Sequence, residues 1–120
     1  MRSDATDLAE AIGSGRLCAV EAMQAALASA QRHEGLGAIA HLDAEQGLDA
    51  ARAFDALSID APEKRVMAFG GVPTLAKDLG GPFAGFPVAA GSRLIGRRGG
   101  HVDSDLAERF RAAGLCLFGL

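Results

Sequence analysis

The stretch VPTLAKD, Val72 to Asp78, ends a short apolar run on a lysine, Lys77. A lysine amine is a base only when neutral. An exposed ammonium stays protonated near pH 7, whereas a lysine held in an interior loses hydration and its pKa falls. If the stretch is a strand, Pro73, Leu75 and Lys77 share one face and Val72, Thr74 and Ala76 the other. Both faces are partly apolar, so Lys77 is free to point inward. A surface lysine beside Asp78 at a strand end fits the same spacing, and spacing alone leaves both readings open. Paired glycines stand on each side, at Gly70–Gly71 and Gly80–Gly81, where backbone can crowd around the lysine.

Other reactive side chains are scattered. His33, His41 and His101 lie far apart, and no His/Cys spacing matches a metal site, so no metal is expected. Cys18 and Cys116 sit among apolar neighbours and read as two small buried hydrophobes in a reducing compartment, the cytoplasm, rather than as a disulfide. The densest basic patch, Arg93, Arg97 and Arg98, reads as a solvated loop. The formal net charge is −3, whereas a nucleic-acid binder would carry a basic excess. No apolar run reaches the roughly 18–20 residues of a membrane span, and the acidic start MRSDATDLAEAI has no signal-peptide pattern. Neither nucleic acid nor membrane is therefore an expected partner.

The 120 residues, 49% of them apolar and 22% charged, suit one soluble domain. SDATDLAEAIGSG predicts a helix with Ser3, Asp4 or Thr6 as its cap. CAVEAMQAALASAQRHEG predicts a second, with Val20, Met23 and Leu27 on one stripe and Gly35 as its stop. Glu21 follows Cys18 by three residues, the spacing of a capping box with cysteine in place of serine or threonine. LGAIAHLD is a strand or an extended link. AEQGLDAARAFDAL predicts a helix with Leu48, Ala51 and Phe54 on one side, and SIDAPEKR a polar loop. From Phe69 to Gly100 glycine and proline dominate, which means turns and ordered loops. DSDLAERFRAAG predicts a helix capped by Asp103 or Ser104 and stopped at Gly114. LCLFGL then starts a buried strand. A core strand ending on a carboxylate leaves a charge among apolar groups, so the natural polypeptide is expected to continue past Leu120.

Three segments together resemble the amidase signature family. The first is Gly71-Val72-Pro73 with Lys77-Asp78. The second is Gly85, Pro87 and Ala90-Gly91-Ser92. The third is Arg111-Ala112-Ala113-Gly114, leading into LCLFGL. SGRLCAVEAMQAALASAQ is similar to the early helix of that family. The resemblance is specific from about Gly70 to Gly119 and generic before it.

The resemblance implies an α/β fold in which N-terminal helices precede strands of an incomplete mixed sheet, with a βαβ-like crossing. Residues 1–120 would be the N-terminal portion of one amidase signature domain, incomplete and without separate domains. It implies cleavage of a carboxylic amide C–N bond, or amide transfer, by a Ser–cisSer–Lys triad. Lys77 would be the base at the end of the proton relay. The two serines of that relay would lie beyond this chain, which would be inactive alone, since such groups act as a unit. Ser92 matches a family serine that is not the nucleophile, and Ser104 reads as a helix cap. The substrate of the longer enzyme would be a small-molecule amide, and no cofactor is implied. The other reading is a non-catalytic interaction module: an unpaired LCLFGL strand would complete its sheet with a partner chain or self-associate through an open edge.

Overall fold

Asp4 opens the chain's first helix, α1 (Ala5–Gly13), by accepting the N–H groups of Thr6 and Asp7 at 2.8 and 3.0 Å, while Asp7 reaches back to the Asp4 N–H. A computed structural model describes residues 4–79, 81–95 and 99–120. Ser3, another candidate cap, lies outside them, as do Gly80 of the second glycine pair and Arg97 and Arg98 of the basic patch. The remaining elements are α2 (Ala19–Arg32), a 3₁₀ turn (Glu34–Leu36), α3 (Ala44–Asp55), α4 (Pro62–Val66), β1 (Pro73–Thr74), α5 (Asp105–Ala112) and β2 (Cys116–Leu117). The architecture is α/β, with helices preceding a small two-stranded parallel sheet.

The capping box at α2 forms as its spacing predicts. Cys18 Sγ accepts the Glu21 N–H at 3.4 Å and Glu21 accepts the Cys18 N–H at 3.0 Å, a bond that holds the Glu21 carboxyl below its ordinary range. Thiol sulfur is a weak acceptor. The next two N–H groups, of Ala19 and Val20, go to the Asp55 carboxylate at 2.9 and 3.0 Å. The last residue of α3 thus completes the start of α2, where a negative charge also suits the helix dipole. Cys18 is consequently exposed, not a buried hydrophobe; only Cys116 is buried, and neither forms a disulfide. Burial lifts the Cys116 thiol to about 11. SIDAPEKR also differs from expectation: Pro62 takes the first-turn position proline tolerates, and the short helix α4 follows.

β1 and β2 run parallel, with Pro73 opposite Cys116 and Thr74 opposite Leu117, and α5 lies between them in sequence, a βαβ arrangement. Pairing extends past the short strands. Val72 O, Thr74 O and Gly119 O accept the N–H groups of Cys116, Phe118 and Ala76 at 2.8, 3.1 and 2.9 Å. The other side of β2 is taken by residues 40–43 of the LGAIAHLD stretch. Leu42 and Gly119 form an antiparallel bridge, and Asp43 N–H donates to Phe118 O at 2.9 Å. LCLFGL is therefore paired on both edges. The open edge expected there is absent, because residues 40–43 fill it.

Helices α2 and α3 pack one face of this strand. Ala19, Met23, Leu27 and Ala51 form a core with Cys116 and Phe118. On the other side Ala76, Phe83, Phe86, Ala107, Leu117 and Leu120 form a second core, with the Phe83 and Phe110 rings edge to face at 5.9 Å. Two glycines set how closely these layers approach. A β-carbon on Gly47 of α3 would lie 2.5 Å from Phe118 Cβ. One on Gly114, at φ +84°, would lie 2.7 Å from Gly70 Cα. Glycine at these two positions thus serves the seats of α3 and of the β1 entry.

Substituting Gly47→Ala separates helix propensity from packing. Propensity alone would stabilise α3 by about 1 kcal/mol. The clash with Phe118 backbone and side chain is expected to prevail and lower stability by about 1–3 kcal/mol, read as a lower urea midpoint. An unchanged or raised midpoint would contradict this seat for α3.

Candidate functional site

Lys77 follows directly on Ala76, whose N–H is anchored to Gly119 O at 2.9 Å. The strand alternation holds. Ala76 is buried at 8% exposure, while Leu75 on the opposite face is 38% exposed and Lys77 is exposed. The expected interior lysine is therefore not seen within these 120 residues. Ala76 points into the second core, whereas Leu75 and Lys77, on the opposite face, are exposed.

Asp78, one residue on, has a role that the sequence does not reveal. Its Oδ1 accepts the Ala89 N–H at 2.6 Å and its Oδ2 accepts the Gly91 N–H at 3.2 Å. Those donors belong to a tight turn, Ala89–Ser92, closed by Ser92 N–H donating to Ala89 O at 2.9 Å. Both central residues have positive φ, +51° at Ala90 and +69° at Gly91, the signature of a type I′ turn. A left-handed alanine costs roughly 1–2 kcal/mol, and the charge-assisted bonds to Asp78 offset it. Ser92 Oγ accepts the Leu94 N–H at 3.2 Å and so serves its own loop.

The preceding loop is fixed from helix α5. Ser104 caps α5 through the Ala107 N–H at 3.3 Å, and its own N–H donates to Pro82 O at 2.9 Å. Asp103, the other candidate cap, instead accepts the Ala84 N–H at 2.7 Å. It also receives Arg111 through two bonds, Nε to Oδ2 at 2.6 Å and Nη2 to Oδ1 at 3.2 Å. Arg111 Nη2 further donates to Ala84 O at 3.0 Å, and Gln46 Nε2 to Gly85 O at 3.2 Å. The Arg111 guanidinium holds the Asp103 carboxyl below its ordinary value. Residues 82–92 of the glycine-rich segment are thus an ordered shelf between α3, α5 and the strand end that carries Lys77.

Arg93 is exposed, and no hydrogen bond or ion pair of the described residues gathers the histidines around Lys77. Among the described residues no three His, Cys, Asp or Glu side chains are grouped to hold a metal, and no helix is long and apolar enough to cross a membrane. A cavity of about 390 Å³ lies at the end of α2, lined by residues such as Ala30, His33, Leu36 and Ile39, and does not include Lys77. Two residues on either side of the lysine in sequence, Leu75 and Leu79, are apolar and exposed, at 38% and 59%.

Comparison with known proteins bears on this arrangement. No protein-family model matches the chain. A glutamyl-tRNA(Gln) amidotransferase subunit from Thermobifida fusca (strain YX) is 33% identical over 120 residues, covering 99% of this chain and 24% of that protein. The solved peptide amidase in complex with the competitive inhibitor chymostatin matches 98% of the chain and 24% of its own, with TM-score 0.82 and 25% identity. A bacterial aryl acylamidase of the amidase signature enzymes has the same fold, with TM-score 0.81 at 23% identity over 98% of this chain and 24% of its own. Over nearly its whole length the chain is similar to part of the amidase signature enzymes. It spans about a quarter of the length of these relatives. Within it, the lysine, A-G-S and R-A-A-G elements quoted from the sequence occupy one connected shelf: Lys77-Asp78 binds the A-G-S turn, and Arg111 binds the loop that leads to it.

The Asp103–Arg111 pair gives a pH prediction. A depressed folded pKa makes its contribution complete above the ordinary aspartate value of 3.8. The contribution is lost as pH falls from there through the lower folded value. Asp103→Asn is expected to lower stability at pH 7 by about 1 kcal/mol, discounted because Arg111 is partly exposed. Urea midpoints of variant and wild type should converge below pH 3.8. A constant gap down to low pH would contradict the pairing.

Proposed function

We propose that this chain is the lysine-bearing N-terminal portion of an amide-cleaving or amide-transferring domain, with Lys77 as the terminal base of a Ser–cisSer–Lys relay. Both serines would come from polypeptide beyond these 120 residues. The observation that carries this reading is the placement of Lys77. It follows Ala76, whose N–H is anchored to Gly119 O just past β1, its neighbour Asp78 grips the A-G-S turn, and the order of the motifs from Gly70 to Gly119 resembles that of the family. The exposure of Leu75 and Leu79, each two residues from the lysine, supports it too, since exposed apolar side chains next to a charged amine suit burial by further polypeptide. That burial would strip water from Lys77 and let it accept a proton from a serine hydroxyl.

The substrate class is a small carboxylic amide. In the relay the nucleophilic serine attacks the carbonyl carbon while its proton passes through the second serine to the Lys77 amine. The C–N bond then breaks as the leaving nitrogen takes a proton, and water, or a second acceptor in amide transfer, releases the acyl group. The two unpaired thiols, Cys18 and Cys116, agree with a reducing cytoplasmic location.

The 120-residue chain alone is expected to show no amide hydrolysis. A polypeptide that joins it to the remaining three quarters of such a domain should hydrolyse a simple amide, and Lys77→Ala in it should lower kcat by about 10²–10⁴-fold while its melting stays cooperative. Turnover by the isolated chain, or full activity of Lys77→Ala, would overturn the reading.

A further inference from the structure

We propose that Asp78 is a positioning residue for the lysine, tying the backbone directly after Lys77 to the Ala89–Ser92 turn; the catalytic part of this inference rests on the function proposed above. β-pairing does not fix Lys77 on its own. The strand as such ends at Thr74, and Ala76 N–H is the last pairing donor before the lysine. From there the chain's direction is set by the next anchor, and that anchor is the Asp78 side chain. Its two oxygens take donors 11 and 13 residues further on, at 2.6 and 3.2 Å.

Lys77 is thus held between two fixed points, a backbone bond to β2 before it and a carboxylate clasp after it. The turn at the far end of the clasp is itself immobilised. Ala89 is buried at 2% exposure, and Phe86, three residues before it, sits in the second core. The clasp therefore joins the lysine's main chain to a rigid part of the fold rather than to a loose loop.

The chemistry of the clasp makes the inference specific. Two N–H donors need two acceptors, and a carboxylate offers both. Asparagine keeps one acceptor and turns a donor toward the second N–H. Glutamate keeps both acceptors at the end of a longer stem. Asp78→Asn should therefore release the turn, and Asp78→Glu should restore part of what asparagine loses. A residue that only added general stability would not produce this order, nor would it leave substrate binding alone while slowing turnover.

Two measurements test it. In the 120-residue chain, hydrogen exchange at Ala89 and Gly91 should be protected. Asp78→Asn should speed both about ten-fold or more while Cys116 and Phe118 keep their rates, which also verifies that the variant folds. Unprotected Ala89 and Gly91 in the wild-type chain would overturn the clasp without recourse to any variant. In the joined polypeptide described above, Asp78→Asn should lower kcat by about 10²-fold with KM nearly unchanged, and Asp78→Glu should recover part of the loss. Wild-type kcat in Asp78→Asn beside an inactive Lys77→Ala would overturn the positioning role and leave the amidase reading standing. An active Lys77→Ala would overturn the amidase reading itself, while the exchange result still decides the clasp.

Discussion

Strand β2 is occupied from both edges, and the rest of the structure depends on that. β1 joins one side in parallel and residues 40–43 join the other side antiparallel. A strand so placed has its backbone groups satisfied in the interior, where an unpaired N–H or carbonyl would cost several kcal/mol. It can then be apolar throughout, as Cys116, Leu117 and Phe118 are, with one helical core above it and one loop-rich core below. Everything near Lys77 is positioned relative to this strand: β1 by its ladder, α3 by the gap that Gly47 leaves over Phe118, and α5 by its connection through Gly114.

Polar interactions then extend that order into a segment that composition alone would call a loop. The segment from Pro82 to Ser92 has no strand or helix, so its backbone groups need side-chain partners. Asp103, Arg111, Gln46 and Asp78 supply them, each bonding main-chain atoms of that segment. Phe83 and Phe86 fill the space beneath. A glycine-rich stretch can be rigid in this way: small residues permit close approach and positive φ, and charged and polar side chains from flanking segments fix the outcome.

Local chemistry is legible in the sequence, and long-range pairing is not. The Cys18–Glu21 spacing foretells a capping box, and the i, i+3, i+4 stripe of Val20, Met23 and Leu27 foretells which face of α2 meets the core. The share of that cap taken by Asp55 cannot be seen, because the two residues are brought together only by the packing of α2 on α3. LGAIAHLD is ambiguous for the same reason: its strand character comes from meeting Gly119 near the other end of the chain. The alternation of VPTLAKD correctly sets Lys77 opposite Ala76, yet alternation names two faces without saying which is covered. Arg111 stands out as part of a motif, but its grip on Asp103 and Ala84 needs the fold. Asp78 reads as a mere neighbour of the lysine, since nothing in a linear sequence shows a carboxylate reaching a turn 11 residues on.

The account stands on β2 lying between a parallel and an antiparallel neighbour, with Lys77 carried out on the parallel one. Proton–proton nuclear Overhauser contacts across that strand test this most directly. Contacts between Thr74 and Leu117 in the parallel register, together with contacts between Leu42 and Gly119 on the opposite edge, are the predicted result. Contacts on one edge only, or a register that moves Ala76 away from Gly119, would contradict it.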